Sequence, residues 1–443
     1  MAKKTKDSNL SIEERLEQAL IPNWDEPYKL PTNWCWVNLG SLGTLGMGQT
    51  ILSKDLKEEG VPVYSATEED KIFGYISESE NTIKLSSGDI VIPARGNSIG
   101  HVKYISCDEA SCTQTTMFFK PFDKSIGKYV YYYMQGNKHK LFAYHGNAIP
   151  QITITNITKK EIPIPPLNEQ QRIVERIESL LAKLGEAKEK AQEVVDGFET
   201  RKAAILHKAF SGELTAKWRE ENSAVLKDWT TYSLSKCCKI GSGGTPSRKN
   251  SKYYTGDIPW IKTGEIEWNE VVDSEEKISQ EAIDNSSAKL YDPGAVLVAM
   301  YGMGVTRGRA AILGVKAATN QAVCVLQPQE YLNNRYLFYF FMCNYWSVRE
   351  QAVGGNQLNL SATIIGKLNI DIPSISEQME IVRVLDNLIS KEQVAKETAE
   401  SVIEQIDTMK NAILARAFRG ELGTNDPTEE SALELLKRVL ESK

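Results

Sequence analysis

A polar, basic loop in the second half of the chain carries side chains suited to nucleic-acid chemistry. It follows Gly243 and Gly244 and runs Thr245-Pro246-Ser247-Arg248-Lys249-Asn250-Ser251-Lys252. Arg and Lys pair with guanine edges in a major groove, and Asn or Gln pairs with adenine. The candidate contact residues are Thr245, Ser247, Arg248, Lys249, Asn250 and Lys252. A solvated surface loop would have the same composition, so both interpretations stay open.

A second glycine-rich stretch, 301–309, could bring backbone close to phosphate. Its cations are Arg307 and Arg309, and the first half of the chain has a matching stretch at 95–98. The segment 46–50 also resembles 241–245. These matches add the following candidate contacts in the first half: Arg95, Asn97, Ser98, Gln49 and Thr50. An ordinary hairpin explains stretch 301–309 nearly as well. The amides Gln114, Gln321, Asn147, Asn356 and Gln357 are weaker candidates, because buried amides often satisfy backbone groups.

Motifs of catalysis are missing from the sequence. It has no G-x-x-x-x-G-K-[ST] loop for a nucleotide, and Pro165-Pro166 is followed by Leu167, not by the Tyr or Phe of adenine methyltransferases. The four histidines are too scattered to predict a metal site. We therefore predict no catalytic residue, no metal and no cofactor in this chain. An enzyme with unrecognised motifs remains the alternative.

Composition and charge limit the remaining possibilities. The 443 residues include 41% apolar and 25% charged residues, with a net charge of -6. No apolar run is long enough for a membrane span, and the basic N-terminus has no apolar region of the kind a signal peptide requires, so the cytoplasm is expected. The seven cysteines are scattered without a CxxC pair, which predicts reduced thiols. A protein that binds DNA alone usually has a basic excess. DNA is therefore not the ligand, or the cations cluster on one face, or a partner supplies phosphate contacts.

The chain contains a tandem repeat with a constant offset of 208 residues. The segment 162–170, IPIPPLNEQ, recurs as IDIPSISEQ at 370–378, and AFSGEL at 209–214 recurs as AFRGEL at 417–422. No insertion separates the two motifs in either copy. A structure of fixed length must therefore connect them.

The connecting segments have the apolar period of a coiled coil, 3.5 residues. Asn168 and Ser376 are the predicted N-caps, and Gly212 and Gly420 the predicted C-terminal caps. Each helix of about 40 residues would span about 60 Å. The predicted seam comprises Ile173, Ile177, Leu180, Leu184, Val194, Phe198 and Ile205 in the first helix, and Ile381, Leu385, Leu388, Val402, Ile406 and Ile413 in the second. Arg201 and Glu392 interrupt it.

Connectivity predicts that the two helices run antiparallel, as an intramolecular coiled coil between two similar globular heads. We predict an α+β fold in which each head has twisted, mostly antiparallel sheets, and the tyrosine-rich runs 129–133 and 336–341 form buried helices, not base-stacking platforms. The predicted segments are an N-terminal extension (1–30), the first head (31–165), the first helix (166–215), a linker (216–228), the second head (229–373), the second helix (374–422) and a tail with a short helix (423–443). Pairing of the coils between chains, as in a structural protein, is the alternative.

Three motifs resemble type I restriction-modification specificity subunits. They are the helix start at 162–170, the helix end at 209–214, and the GGTPS…YYTGDIPWI segment at 243–261. The closing run 420–432 is also similar to that family. The first head departs from the pattern, since 46–50 lacks the Pro-Ser and Tyr-Tyr-x-Gly segments.

The resemblance implies that the heads are target recognition domains, each contacting one half of a bipartite double-stranded DNA site. Two modification (M) methyltransferase subunits would dock on the helical spacer, and restriction (R) subunits would join them. S-adenosylmethionine is then expected in the M subunits, and ATP and magnesium in the R subunits.

Overall fold

The computed structural model describes residues 10–22, 26–68, 71–79, 82–142, 151–302, 304–354 and 359–442. The chain divides into two compact units. Unit 1 comprises Met1–Ala191 and Ser401–Lys443, and unit 2 comprises Gln192–Glu400. Each unit holds one head and parts of both long helices. The finer segment boundaries drawn from the sequence stay a prediction.

Each head consists of runs of strands followed by a group of short helices and one further strand. The helices are α1 Ile12–Ala19, α2 Gly127–Gly136, α3 Lys138–Leu141, α4 Ile154–Thr158, α5 Leu167–Asp196, α6 Phe198–Phe210, α7 Ala216–Glu221, α8 Leu234–Cys237, α9 Gln280–Asp284, α10 Asn334–Cys343, α11 Tyr345–Glu350, α12 Ala362–Gly366, α13 Ile375–Ala417 and α14 Ala432–Glu441. The strands of unit 1 are β1 Cys35–Asn38, β2 Gly43–Met47, β3 Val61–Tyr64, β4 Gly74–Ile76, β5 Ile90–Pro93, β6 Lys103–Tyr104, β7 Ser111–Cys112, β8 Thr116–Pro121 and β9 Glu161–Ile164. Those of unit 2 are β10 Thr230–Ser233, β11 Cys238–Ser242, β12 Ile258–Ile261, β13 Glu270–Val271, β14 Lys277–Ile278, β15 Leu290–Tyr291, β16 Val296–Ala299, β17 Ala310–Leu313, β18 Ala317–Thr319, β19 Val323–Pro328 and β20 Asn369–Ile372.

The two heads repeat one sheet arrangement. In unit 1 the strand orders are β2-β8-β5-β6, β4-β3-β7 and β1-β9, and in unit 2 they are β11-β19-β16-β17-β13, β14-β12-β18-β15 and β10-β20. Pairing is antiparallel except for β3 with β7, β12 with β18 and β13 with β17. The mostly antiparallel sheets predicted from the sequence are confirmed.

Both tyrosine-rich runs form buried helices, as predicted. They are α2 and α10, in which Tyr129 is 1% and Tyr336 0% exposed. The two phenol hydroxyls donate to equivalent carbonyls, of Pro163 at 2.8 Å and Asp371 at 2.7 Å. Each aromatic helix is thereby fixed to the strand that leads into a long helix.

The long helices begin one residue before the predicted caps. Helix α5 starts at Leu167 and α13 at Ile375. The amide of Gln170 donates to the Pro166 carbonyl, and in the second copy the Ser374 hydroxyl accepts from the amide of Glu377 at 3.3 Å. Asn168 and Ser376 therefore lie in the first turns and do not cap them. The predicted C-terminal glycines are confirmed, since Gly212 and Gly420 have φ of 80° and 73°.

The first long helix is interrupted at Gly197, where the sequence predicts continuity. Arg201 turns back over this residue and donates to the Val194 carbonyl at 2.8 Å. A Cβ on Gly197 would lie 2.3 Å from the Arg201 guanidinium. The missing side chain thus provides the space that Arg201 occupies, and the helix continues as α6.

In unit 2 the long helices run antiparallel. Thr215 bonds Glu377 at 2.8 Å, Arg201 lies 2.7 Å from Glu392, and the Lys396 ammonium lies over the Phe198 ring at 5.0 Å. As residue numbers fall along the first helix, those of the partners rise along the second. The two side chains that interrupt the apolar seam, Arg201 and Glu392, therefore form an ion pair with each other.

In unit 1 the same antiparallel arrangement joins the other ends. Ile173 and Ile177, near the start of α5, share a core with Leu414 and Ala417, at the end of α13. The Asn425 amide, beyond the end of α13, donates to Glu169, in the first turn of α5, at 2.9 Å.

Burial along the predicted seam is uneven. Ile173, Ile177, Phe198, Ile381, Leu385 and Ile406 are buried, and Leu180, Leu184, Val194, Ile205, Leu388 and Ile413 are half-buried. Val402 is 37% exposed, against the prediction. Leu206 and Leu414 each follow a predicted seam residue, Ile205 and Ile413. Both leucines are more buried than the isoleucines before them, because they face the heads. Near the end of each long helix, the buried side chains therefore pack against a head instead of along the predicted seam.

Helices α1 and α14, the first and last helices of the described residues, pack together in unit 1. Ser11 caps α1, and the buried side chains Leu435, Leu436 and Val439 of α14 join the core that also contains Ala19. The predicted short helix in the tail is α14. All seven cysteines are unpaired, and four of them are buried.

Candidate nucleic-acid interface

The loop 245–252 leaves the sheet at the end of β11 through two tightly packed glycines. A Cβ on Gly243 would lie 1.9 Å from the Thr319 carbonyl oxygen, which excludes any other residue there. The Trp260 indole donates to the Gly244 carbonyl at 3.0 Å, and the Tyr254 hydroxyl donates to the Pro246 carbonyl at 2.7 Å. The base of the loop is therefore fixed, and its tip projects from the head.

Arg248 is held in place by aromatic rings and a carboxylate. Its guanidinium lies 4.2 Å from the Tyr254 ring centroid, 5.2 Å from that of Trp260, and 2.7 Å from the Glu276 carboxylate. Arg248 and then Lys262 hold the pKa of Glu276 below its ordinary value. The Arg248 side chain remains 56% exposed, so an ordered cation faces solvent.

The other loop candidates divide into exposed and engaged side chains. Ser247, Lys249 and Lys252 are exposed. The Thr245 hydroxyl bonds the Gln321 amide oxygen, and the Asn250 side chain accepts from the amide of Lys252 at 3.2 Å, capping a turn of 3-10 helix. The exposed cations are thus free to approach a ligand, whereas Asn250 stabilises the turn.

The second candidate stretch of this head lies between β16 and β17. Arg309 is paired with Glu267 at 3.2 Å, and Arg307 is half-buried. Val305 and Tyr301 project more strongly, at 52% and 38% exposed. Met303 lies outside the described residues.

The equivalent stretch of the first head is shorter. Arg95 and Asn97 are exposed, whereas Ser98 is only 6% exposed. Gln49 accepts from the amide of Ile83 at 2.6 Å, and Thr50 is exposed. Gln49 and Thr50 also line an open pocket of about 390 Å³ with Lys54 and Lys57 on its wall.

Of the weaker amide candidates, Gln114 accepts from the amide of Ile51 at 3.3 Å. Gln321 meets Thr245 as described above. Asn147, Asn356 and Gln357 lie outside the described residues.

Two buried glutamates, not singled out in the sequence, organise the ends of the long helices. Glu377 accepts from Thr215 at 2.8 Å, Arg219 at 2.6 Å and Trp229 at 3.0 Å. Its repeat equivalent, Glu169, accepts from the Trp34 indole at 2.7 Å. Burial raises the pKa of Glu169, and the hydrogen bonds from Trp34 and Asn425 only partly offset that rise. The Glu-Gln dipeptide that ends both copies of the repeated motif, 162–170 and 370–378, could have indicated this structural role from the sequence.

The described part of the chain offers neither a metal site nor a membrane span. There, no group of three or more His, Cys, Asp and Glu side chains could hold a metal ion. Over the same residues, no helix has the length and apolarity needed to cross a membrane.

Known proteins are similar to this chain in sequence and in fold. The family described as "Type I restriction modification DNA specificity domain" matches residues 31–195 and again 226–405. The EcoDI specificity subunit of Escherichia coli is 21% identical over 89% of this chain and 90% of its own length, and the EcoKI subunit of strain K12 is 24% identical with the same coverage. The crystal structure of the HsdS subunit from Thermoanaerobacter tengcongensis is 18% identical, covers 90% of this chain and 100% of that chain, and has a TM-score of 0.64.

The two matches to the family follow the internal repeat. Each covers one head and most of the long helix that follows it. The chain therefore belongs to the type I restriction-modification specificity subunits, with two DNA specificity domains in tandem.

Proposed function

We propose that this specificity subunit recognises a bipartite site in double-stranded DNA, with one half-site bound by each head. The observation that carries the proposal is the duplication of an exposed loop at the same position in both heads. Residues 245–252 follow β11 in the second head, and the stretch from Gln49 follows the equivalent β2 in the first. Because the strand pairs that flank these stretches repeat while the stretches themselves differ in sequence, each half-site would be set by its own loop.

The second head offers the stronger case for base contacts. Arg248 is ordered by Tyr254, Trp260 and Glu276 yet remains solvent-exposed, and Lys249 and Lys252 are exposed beside it. An ordered guanidinium can present two donors to guanine, while flexible lysines suit phosphate. Arg248 would then contribute to base discrimination, and the lysines to general affinity.

Two modification subunits would dock on the helical spacer, and restriction subunits would join that complex. The start of one long helix packs beside the end of the other in each unit, so an equivalent helical surface occurs twice. S-adenosylmethionine would then be bound by the modification subunits, and ATP and magnesium by the restriction subunits. The specificity subunit itself serves recognition and not catalysis.

A head exchange tests the proposal. Residues 31–160 are replaced by the equivalent head of another specificity subunit, the protein is produced with its methyltransferase partner, and methylated sites are mapped by sequencing. We expect one half-site to change and the other to persist. Replacement of both half-sites, or of neither, would contradict the assignment of one half-site to each head.

Two further measurements separate the alternatives. The pure chain is incubated with DNA, magnesium and labelled S-adenosylmethionine, and any methylated or cleaved product would point to an enzyme. Its mass is measured across concentrations, since a structural protein whose coils pair between chains would dimerise.

A further inference from the structure

The glycine-rich loop of the second head is hydrogen-bonded to two side chains of helix α11, Arg349 and Tyr345. Arg349 donates to the Gly304 carbonyl at 2.6 Å and also to the Arg307 carbonyl. Tyr345, one turn earlier, donates to the Val305 carbonyl, and its hydroxyl accepts from Arg349 at 3.1 Å. Two side chains therefore hold three carbonyls of a five-residue segment, 304–308.

The loop requires such a fastening because its own backbone is permissive. Gly302, Gly304 and Gly308 have φ of 140°, 61° and 87°. Glycine adopts these conformations readily, but it loses more conformational freedom on ordering than any other residue. Hydrogen bonds from a guanidinium to carbonyls select one of the available loop shapes, and the planar fork can serve two carbonyls at once.

Arg349 is itself held in position. Its guanidinium lies 5.1 Å from the Tyr345 ring centroid and 5.6 Å from that of Trp346, although Trp346 is 68% exposed. A Cβ on Gly308 would lie 3.0 Å from the Arg349 Cγ. The aliphatic part of the arginine thus packs under the loop while its charged end reaches the loop carbonyls.

The first head provides a comparison within the same chain. Its Gly100 has the same φ, 87°, as Gly308, and packs on Lys138 and Phe142 where Gly308 packs on Tyr345 and Arg349. Phe142 has no donor. The loop there is also shorter, with three residues between Gly96 and Gly100 instead of five between Gly302 and Gly308. An arginine beside this glycine therefore accompanies the longer loop of the second head.

We propose that Arg349 is a positioning residue that fixes the conformation of loop 304–309 and so determines base discrimination at the half-site bound by the second head. The arginine does not contact DNA itself. This inference rests on the proposed function, because it requires that the second head bind DNA with this loop facing it.

The first test measures the loop without DNA. Arg349→Lys keeps the positive charge but loses the planar fork, and Arg438→Lys is the control, since Arg438 only pairs with Glu430 on an exposed surface. Brief trypsin digestion of the full chain followed by mass spectrometry reports cleavage after Arg307. Cleavage follows the population of the open loop when opening is fast. We expect cleavage about tenfold faster in Arg349→Lys, equivalent to about 1.4 kcal/mol of local opening, and no change in the control.

The second test maps methylated sites with each variant in complex with its methyltransferase partner. Arg349→Lys should relax the second half-site, with discrimination against single base changes falling about tenfold, and leave the first half-site intact. Thermal unfolding confirms that the variant is folded. A loop that stays closed to trypsin in Arg349→Lys overturns the proposal, and so does an open loop with an unchanged second half-site. If the wild-type complex modifies no bipartite site, the proposed function fails, and the trypsin result still decides whether Arg349 fixes the loop.

Discussion

The repeat-related glutamates Glu169 and Glu377 should respond differently to the same substitution. Glu377 is 2% exposed and lies 2.6 Å from Arg219, whose side chain is 9% exposed. Glu169 is 0% exposed, and it accepts from the neutral donors Trp34 and Asn425. Glu377→Gln would therefore leave a buried cation without its counter-charge, whereas Glu169→Gln would not.

The difference in stability can be estimated from these contacts. Removing one partner of a buried ion pair costs about 3–5 kcal/mol. Replacing a carboxylate that accepts from neutral donors costs at most about 1 kcal/mol, because the amide oxygen still accepts. For a unit of about 200 residues, 1 kcal/mol shifts the Tm by about 2–4 °C. Glu377→Gln should thus lower the Tm of unit 2 by roughly 6–20 °C, and Glu169→Gln that of unit 1 by no more than roughly 4 °C.

Hydrogen exchange measured by mass spectrometry on the full chain assigns each effect to its unit. Peptides that cover Trp229 report on unit 2, and peptides that cover Trp34 report on unit 1. We expect faster exchange in unit 2 of Glu377→Gln, with little change in either unit of Glu169→Gln. Equal losses for the two variants would refute the argument, because the contrast depends on the buried charge of Arg219.

Three further predictions follow. Because burial raises the pKa of Glu169, its proton is bound more tightly in the folded state than in the unfolded chain; stability should fall as pH rises from the ordinary value of 4.5 through the raised pKa. Glu169→Gln should remove that slope in Tm measured against pH, and an unchanged slope would disprove its origin. Replacing Lys249 and Lys252 together by Ala should weaken DNA binding by the complex and lower its log–log salt slope by about 1–2, measured by titration at several salt concentrations; a constant slope would exclude phosphate contacts. Deleting one heptad from each long helix removes about 10.5 Å of helix and should shorten the gap between half-sites by about three base pairs in the methylated sites; an unchanged gap would contradict a spacer that sets the distance.

The repeat and the long helices were predictable from the sequence alone. The offset between the motifs starting at Ile162 and Ile370 is the same as that between Ala209 and Ala417, and only a structure of fixed length preserves such an offset. Helix periodicity is a local property, because side chains three and four positions apart share a face. For the same reason the buried aromatic helices α2 and α10 and the glycine ends of the long helices agreed with expectation.

The tertiary structure decided how residues distant in sequence are paired. Arg201 and Glu392 interrupt the seam when each helix is considered by itself, yet in unit 2 they neutralise each other at 2.7 Å. At the interruption, the Arg201 side chain occupies the space that a side chain on Gly197 would fill. Neither the ion pair nor the interruption can be predicted from the apolar period, since that period describes one helix and not the partner that faces it.

For the candidate DNA loops too, the sequence predicted the segments, and tertiary packing decided which of their side chains are ordered. Their glycine and cation content marked them in the sequence, but whether Arg248 is ordered depends on Tyr254, Trp260 and Glu276, which come from different elements. The fastening of Gly304 by Arg349 joins residues 45 positions apart. Composition determined which segments could contact DNA, and long-range packing determined which of their side chains are held in place, because the loops have no regular structure of their own to orient them.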